Sequence, residues 1–273
     1  MSTLMSPFRS LFAMAALGLG LASQTATSSA IAGPVADRVQ RAQEMRVCIW
    51  TDYYGISARN ARTGQLSGID IDLSAALASD LKLGLKYVES SFASLIDDLK
   101  SDKCDVAMFA VGMTPQRVAA LRFSRPYLAS DIYAVTTKSS RAITRWEDID
   151  RPGVRVAVQA GTFMEPVMAA ALKQATMVVI RPPDTREREL EAGRVDVFMT
   201  DYPYSRRLLD NADWARLVAP PTPFHVLPYA YAVKPGDDAW AQQVDDFVAR
   251  IQQDGRLQWA AKRHGLTEIM RGR

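Results

Sequence analysis

Gly112-Met113-Thr114-Pro115-Gln116-Arg117 follows directly on the apolar run Val106 to Val111. Thr114 is a good N-cap and Pro115 suits a first helical turn, so a strand runs into a helix and Arg117 arrives as that helix begins. Backbone N–H groups and a guanidinium then converge at a strand's carboxyl end. This is chemistry for a carboxylate, because a helix terminus favours an anion and the planar fork of Arg can clasp both oxygens. Asp201 follows a second apolar strand, Val195 to Thr200, where open α/β sheets bind ligands, and its natural counter-ion is an ammonium. Spacing alone favours the plainer account of each: a capped helix with a solvated Arg117, and an Asp201 that caps the helix Tyr202 to Leu209. Between them lies Ala160-Gly161-Thr162-Phe163-Met164-Glu165, in which Thr162 and Glu165 fit a capping box. That makes Glu165 a cap rather than a catalytic acid, while Gly161 lets backbone approach a ligand.

The elements that must position these residues alternate. Arg46 to Trp50 reads as a strand and Ile69 to Leu81 as a helix with Ile69, Leu73, Ala76, Leu77 and Leu81 on one face. Leu85 to Val88, a helix capped by Ser91 and carrying Phe92, Leu95, Ile96 and Leu99, and the strand Val106 to Val111 complete a βαβαβ order. Such connections require a parallel sheet covered on both faces. A second series runs from Val154 to Val158 through Val195 to Thr200. After Pro220, Pro221 and Pro223 come a strand at Tyr229 to Val233 and an amphipathic helix ended by Gly255. This tail is too small to bury a core alone, so returning it to the first lobe makes the second lobe an insertion. The expected boundaries are lobe 1 at 45–134 and 228–273, lobe 2 at 138–222, and hinge crossings at 132–137 and 222–227.

Composition excludes several classes. The 273 residues are 48% hydrophobic and 23% charged, the balance of a globular protein. With 33 Lys and Arg against 30 acids, no basic stripe is strong enough for a nucleic-acid partner, and two His with two Cys cannot build the usual zinc constellations. Residues 1–32 carry Arg9 as their only charge, an apolar run Leu11 to Ala22, and Ala30-Ile31-Ala32 before Gly33: a signal peptide with cleavage after Ala32 and a periplasmic destination. Export makes a disulfide between Cys48 and Cys104 feasible, and two small buried thiols remain the alternative.

Taken in order, MRVCIWTDYY, SGIDIDLSAALASDL, SSFASLIDDLKSDKCDVAMFAVGMTPQR, LRFSRPY, VAVQAGTF, LEAGRVDVFMTD and QQDGRL resemble the extracellular solute-binding proteins of polar amino-acid ABC importers, over residues 45 to about 266. The resemblance implies an α/β, two-lobed periplasmic binding protein of type 2, a Venus-flytrap whose lobes are mainly parallel sheets flanked by helices. It implies capture of a free L-amino acid and delivery to a membrane permease by a monomer, with no cofactor and no metal. Arg117 takes the α-carboxylate, which reverses the preference from spacing. Thr114 and the backbone of Gly112 and of Thr162 or Phe163 complete that cradle, and Asp201 holds the α-ammonium. Phe92 and either Tyr53 or Tyr54 sandwich the ligand's apolar stem. Gly112 stands where many members carry Ser or Thr, and the usual Pro-Phe pair after the first aromatic is replaced by Tyr54-Gly55-Ile56, so Arg59 becomes a candidate for an acidic ligand side chain. Some relatives resembling this family are cyclohexadienyl or arogenate dehydratases, which keeps an enzyme on the same scaffold as the competing function.

Overall fold

Two sheets divide the chain, and each is fed by the apolar runs read above. The computed structural model describes residues 33–271, so the signal peptide expected at 1–32 lies outside the described residues. The first elements are α1 (Pro34–Ala42), β1 (Glu44–Ile49), β2 (Ala58–Arg59), β3 (Leu66–Ser67), α2 (Ile69–Leu81), β4 (Gly84–Glu89), α3 (Leu95–Lys100), β5 (Val106–Gly112) and α4 (Pro115–Ala120). There follow β6 (Arg122–Phe123), β7 (Leu128–Ser130), β8 (Ile132–Thr137), β9 (Arg155–Gln159), α5 (Met164–Ala171), β10 (Thr176–Ile180), α6 (Arg186–Glu191) and β11 (Val197–Asp201). The chain closes with α7 (Tyr202–Asn211), β12 (Ala215–Val218), β13 (Leu227–Val233), α8 (Asp238–Gln253) and α9 (Arg256–Arg263). Among the described residues no helix is long and apolar enough to cross a membrane.

Sheet one has the order β4-β1-β5-β13-β6, with β7 also on β13. β1 lies parallel to both β4 and β5, whereas β13 runs antiparallel to β5. Every residue of β5 is buried, as a strand covered on both faces requires. Sheet two has the order β10-β9-β11-β8-β12, parallel across its first three strands and antiparallel beyond. The late strand β13 therefore sits in the middle of sheet one, and sheet two is inserted between β7 and β13.

Ile132–Thr137 departs from its expected role. It is not a hinge crossing but β8, a strand paired to β11 on one side and β12 on the other. Its residues Ile-Tyr-Ala-Val-Thr-Thr are β-formers, and two partners bury Ile132, Ala134, Val135 and Thr136. The first crossing shrinks to Asp131, and the second runs through the prolines to Val226. Asp131 Oδ1 accepts from the backbone N–H of Ile132 (2.7 Å) and of His225 (2.6 Å), and Oδ2 from that of Phe224 (2.7 Å), tying the two crossings together.

Cys48 on β1 and Cys104 just ahead of β5 are joined in a disulfide, with Cα atoms 5.6 Å apart across neighbouring strands. Helix α1 has no counterpart in the periodicity analysis. It is capped from a distance, since Asp237 Oδ2 accepts from the backbone N–H of both Val35 and Ala36 at 2.8 Å.

Candidate functional site

Thr114 Oγ1 accepts from the Arg117 backbone N–H at 3.3 Å, so the expected cap forms and turns α4 back over the end of β5. The guanidinium then bridges the lobes: Nη1 donates to Gly112 O at 3.1 Å and Nη2 to Gly161 O at 2.8 Å, with the ring of Phe92 5.0 Å beneath it. Arg117 is only 4% exposed, and no carboxylate lies within ion-pair range of it among the described residues. Burial without a counter-ion lowers its pKa to about 10.

Asp201 ends β11 and caps α7, accepting from the Tyr204 backbone N–H at 3.2 Å. The cap is half of its work. Two hydroxyls from lobe 1 reach it, Tyr229 at 2.7 Å and Tyr53 through a short contact, so capping and a place in the cleft coexist in one carboxylate. Burial raises its pKa, opposed by the two tyrosines, the Tyr204 N–H and the charge of Arg186. Desolvation beside this carboxylate pushes both phenols well above their ordinary value, so they act as donors. Arg117 and Asp201 thus flank one aromatic cluster: Tyr53 bonds to Asp201 while its ring lies 5.6 Å from Phe92, the ring that Arg117 covers.

Between them is a narrow cavity of about 20 Å³ walled by Trp50, Tyr53, Phe92, Phe163 and Tyr229, with Arg186, Thr200 and Asp201 as its polar side chains on β11 and α6. Arg117 borders a neighbouring groove that shares Thr162 and Phe163 with this cavity, because its fork is occupied by the two carbonyls. Phe92 reaches the cavity from a turn rather than a helix. The expected Ser91 cap forms, since Ser91 Oγ accepts from the Ser94 N–H and Ser94 Oγ from the Ser91 N–H, each at 3.2 Å, but residues 92–94 are a turn and α3 begins at Leu95.

Several expected site residues sit elsewhere. Thr114 serves as the cap and lines the outer groove, not the cavity. Of the tyrosine pair, Tyr53 is in the cavity, whereas Tyr54 stacks on Tyr204 at 4.9 Å on the rim and is 38% exposed. Arg59 lies in the β2–β3 hairpin, where Nη1 donates to Gly64 O at 3.1 Å, and so does not face the cavity. The capping box at α5 is only half built: Glu165 Oε2 accepts from the Gly161 N–H at 2.8 Å, but the Thr162 hydroxyl donates to Gln159 O at 2.7 Å. The Thr162 N–H also goes to Gln159 O, which leaves Phe163 as the backbone donor of that pair. Gly112 has a steric reason, since a Cβ there would lie 2.5 Å from Leu227 Cδ2, and a Ser or Thr would require Leu227 to move.

Trp50, Thr200, Tyr229 and above all Arg186 were not singled out by sequence. Arg186 belongs to the run Thr-Arg-Glu-Arg-Glu-Leu-Glu, which reads as a solvated charged helix. The available signal was position: Thr185 caps α6 through the Arg188 N–H, and Arg186 comes immediately inside that cap on the sheet-facing side, where it is 4% exposed.

Two lobes of mixed sheet with a lined cleft between them define a type 2 periplasmic binding protein. The crystal structure of the ancestral amino acid-binding protein AncCDT-1, a precursor of cyclohexadienyl dehydratase, has the same fold at a TM-score of 0.76 and 27% identity, covering 83% of this chain and 97% of that one. The family model of the bacterial extracellular solute-binding proteins, family 3, matches residues 45–267, and the chain belongs to that family. It is 31% identical over 222 residues to a cyclohexadienyl dehydratase of Pseudomonas aeruginosa, covering 81% of this chain and 82% of the relative. It is 24% identical over 195 residues to the L-cystine-binding protein TcyJ of Escherichia coli, covering 71% and 73%.

Proposed function

We propose that this chain is an exported receptor that closes its lobes on a free L-amino acid and presents the closed form to the membrane permease of an ABC importer. The observation that carries the reading is Arg117: a buried guanidinium with two carbonyl acceptors and no anion, facing across Phe92 and Tyr53 a buried carboxylate with no cation in contact. Each charge is costly to keep in low dielectric, and a zwitterion supplies both counter-ions at once. Parting the lobes frees Nη2 from Gly161 O, and a ligand α-carboxylate takes its place, helped by the Phe163 N–H. Asp201 exchanges part of its hold on Tyr53 and Tyr229 for the α-ammonium. Contacts made from both lobes exist only when the lobes are closed, so binding shifts the open-closed equilibrium, and the shape of the closed form is what a permease reads.

The test is a thermal-shift screen of the purified mature protein against the twenty L-amino acids, followed by calorimetry. Saturable binding of at least one is expected; no binding by any would reject the reading. N-terminal sequencing of the exported protein should begin at Gly33.

A second reading, a dehydratase, is favoured by the relative at 31% identity. Glu165, the acid closest in sequence to the cleft loop, is held by the Gly161 N–H and borders the outer groove, so it is not placed to deliver a proton into the cavity. Asp201 is the carboxylate in the cavity wall, and it already accepts three hydrogen bonds. Turnover of prephenate or arogenate by the purified protein decides between the two.

A further inference from the structure

The cavity holds a guanidinium that a simple zwitterion leaves unanswered. Arg186 Nη1 donates to Met199 O at 2.8 Å, and its plane rests 4.5 Å from the ring centre of Tyr204 and 5.2 Å from that of Phe198. These contacts fix its direction and supply no negative charge. Glu187, next in sequence, is turned away, its Oε1 accepting from the Tyr204 hydroxyl at 2.7 Å. No carboxylate comes within ion-pair range of Arg186 among the described residues, its Nε and Nη2 find no protein acceptor, and the residue lines both the cavity and an adjoining groove that carries Asp52, Asp184 and Glu187. Thr200 adds an independent sign. It is 1% exposed, lines the same cavity, and its hydroxyl has no hydrogen-bond partner. An unpaired buried hydroxyl beside a guanidinium with unused donors marks a place for a ligand oxygen.

We infer that Arg186 and Thr200 form a second anion subsite in lobe 2, and that the ligand is an amino acid with a further carboxylate. This rests on the zwitterion reading above. Arg117 and Arg186 contribute two positive charges and Asp201 one negative, so a neutral zwitterion leaves the closed cleft at +1, whereas an amino acid bearing a second carboxylate brings it to zero. The task that the resemblance suggested for Arg59 falls to Arg186, on the opposite lobe. The shared chemistry, an ammonium with two carboxylates, is met by the acidic amino acids and by arogenate.

The experiment compares matched pairs by calorimetry: L-glutamate with L-glutamine and L-aspartate with L-asparagine, with L-arogenate as a further arm. The pairs differ in one charge at nearly constant shape. At least one dicarboxylate should bind 30-fold or more tighter than its amide, or arogenate should bind tighter than every neutral amino acid, on the order expected for a buried charge pair. Arg186→Gln should then lower that dicarboxylate's affinity by about 100-fold and leave neutral amino acids binding no more weakly than before. Thr200→Val, which keeps shape and removes the hydroxyl, should cost the same ligand about fivefold to tenfold. Which dicarboxylate wins separates an acidic amino acid from arogenate. A neutral or basic amino acid binding as tightly as any dicarboxylate overturns the inference and leaves the receptor reading standing, and that comparison needs only the wild type if Arg186→Gln fails to fold. Binding of no amino acid overturns the receptor reading and this inference with it.

Discussion

Arg117→Met should move stability and affinity in opposite directions. Burial holds the guanidinium's pKa near 10, so its charged form costs the unliganded protein on the order of 3 kcal/mol. Methionine matches the stem's length and polarisability and keeps contact with the face of Phe92. Removing the charge relieves that cost but leaves Gly161 O without its donor, a loss of about 1 to 3 kcal/mol, while Gly112 O keeps the Thr114 N–H. The net change in unliganded stability should lie between zero and about 2 kcal/mol of gain. The ligand loses its charge-assisted clasp: about 3 kcal/mol, or roughly two orders of magnitude in Kd. Urea denaturation of the unliganded protein and calorimetry with its ligand read the two effects separately. Should the variant lose more than about 2 kcal/mol of stability while binding the ligand as before, Arg117 is a strut between the lobes and the reasoning from its missing counter-ion is wrong.

Asp201→Asn keeps the cap of α7 and removes the charge; ligand affinity should fall 30-fold or more while the unliganded melting temperature changes little, and unchanged affinity would remove the carboxylate from the site. Gly161→Ala places a Cβ 2.7 Å from the backbone of Ala93 on the opposite lobe, at φ +73°, so closure should be blocked; small-angle scattering in saturating ligand should show an open form, and a compact one would contradict the contact. Cys48→Ala with Cys104→Ala opens a loop spanning 56 residues, worth about 4 kcal/mol in the chain-entropy model, and denaturant melts should register a loss of that order. Asp70 is buried under the hydroxyls of Tyr127 and Tyr231 and the Ala110 N–H, yet desolvation prevails and raises its pKa to about 6. A carboxyl raised on folding stabilises most below its unfolded value of about 4, and the contribution is lost as pH climbs through 6. Wild-type stability should therefore fall across that interval more steeply than that of Asp70→Asn; parallel profiles would refute the assignment.

Patterning revealed the parallel core of lobe 1 because β5 is a continuous apolar run and a helix with one apolar face precedes β4, signals that need no tertiary context. Ile132–Thr137 was misplaced because a strand's partners do not register in its own residues: six β-formers suit a bridge between lobes as well as an inner strand. Phe92 reads as the first residue of a helix because Ser91 is a good cap, and that cap forms on the Ser94 N–H, but residues 92–94 stay a turn and the helix proper starts at Leu95. Tyr53 and Tyr54 are adjacent and chemically identical, so only the turn after β1 decides which ring enters. Arg186 was hidden among three arginines within nine residues, since which of them is buried depends on how α6 meets β11. Strand ends and caps are local, so the positions of Arg117 and Asp201 were legible, but spacing alone favoured a solvated Arg117 and a purely capping Asp201; the burial of both depends on contacts with the opposite lobe.

Asp131 gives the molecule a single fulcrum. Because one carboxylate, steadied by the N–H of its neighbour Ile132, grips both Phe224 and His225 on the returning crossing, the two passages cannot slide past each other without breaking the two bonds between them. The halves then swing like a gate on one pin, with shear suppressed. Release of cargo should accordingly follow one exponential, and loosening the pin with Asp131→Ala should give the gate a second way to move and add a second phase.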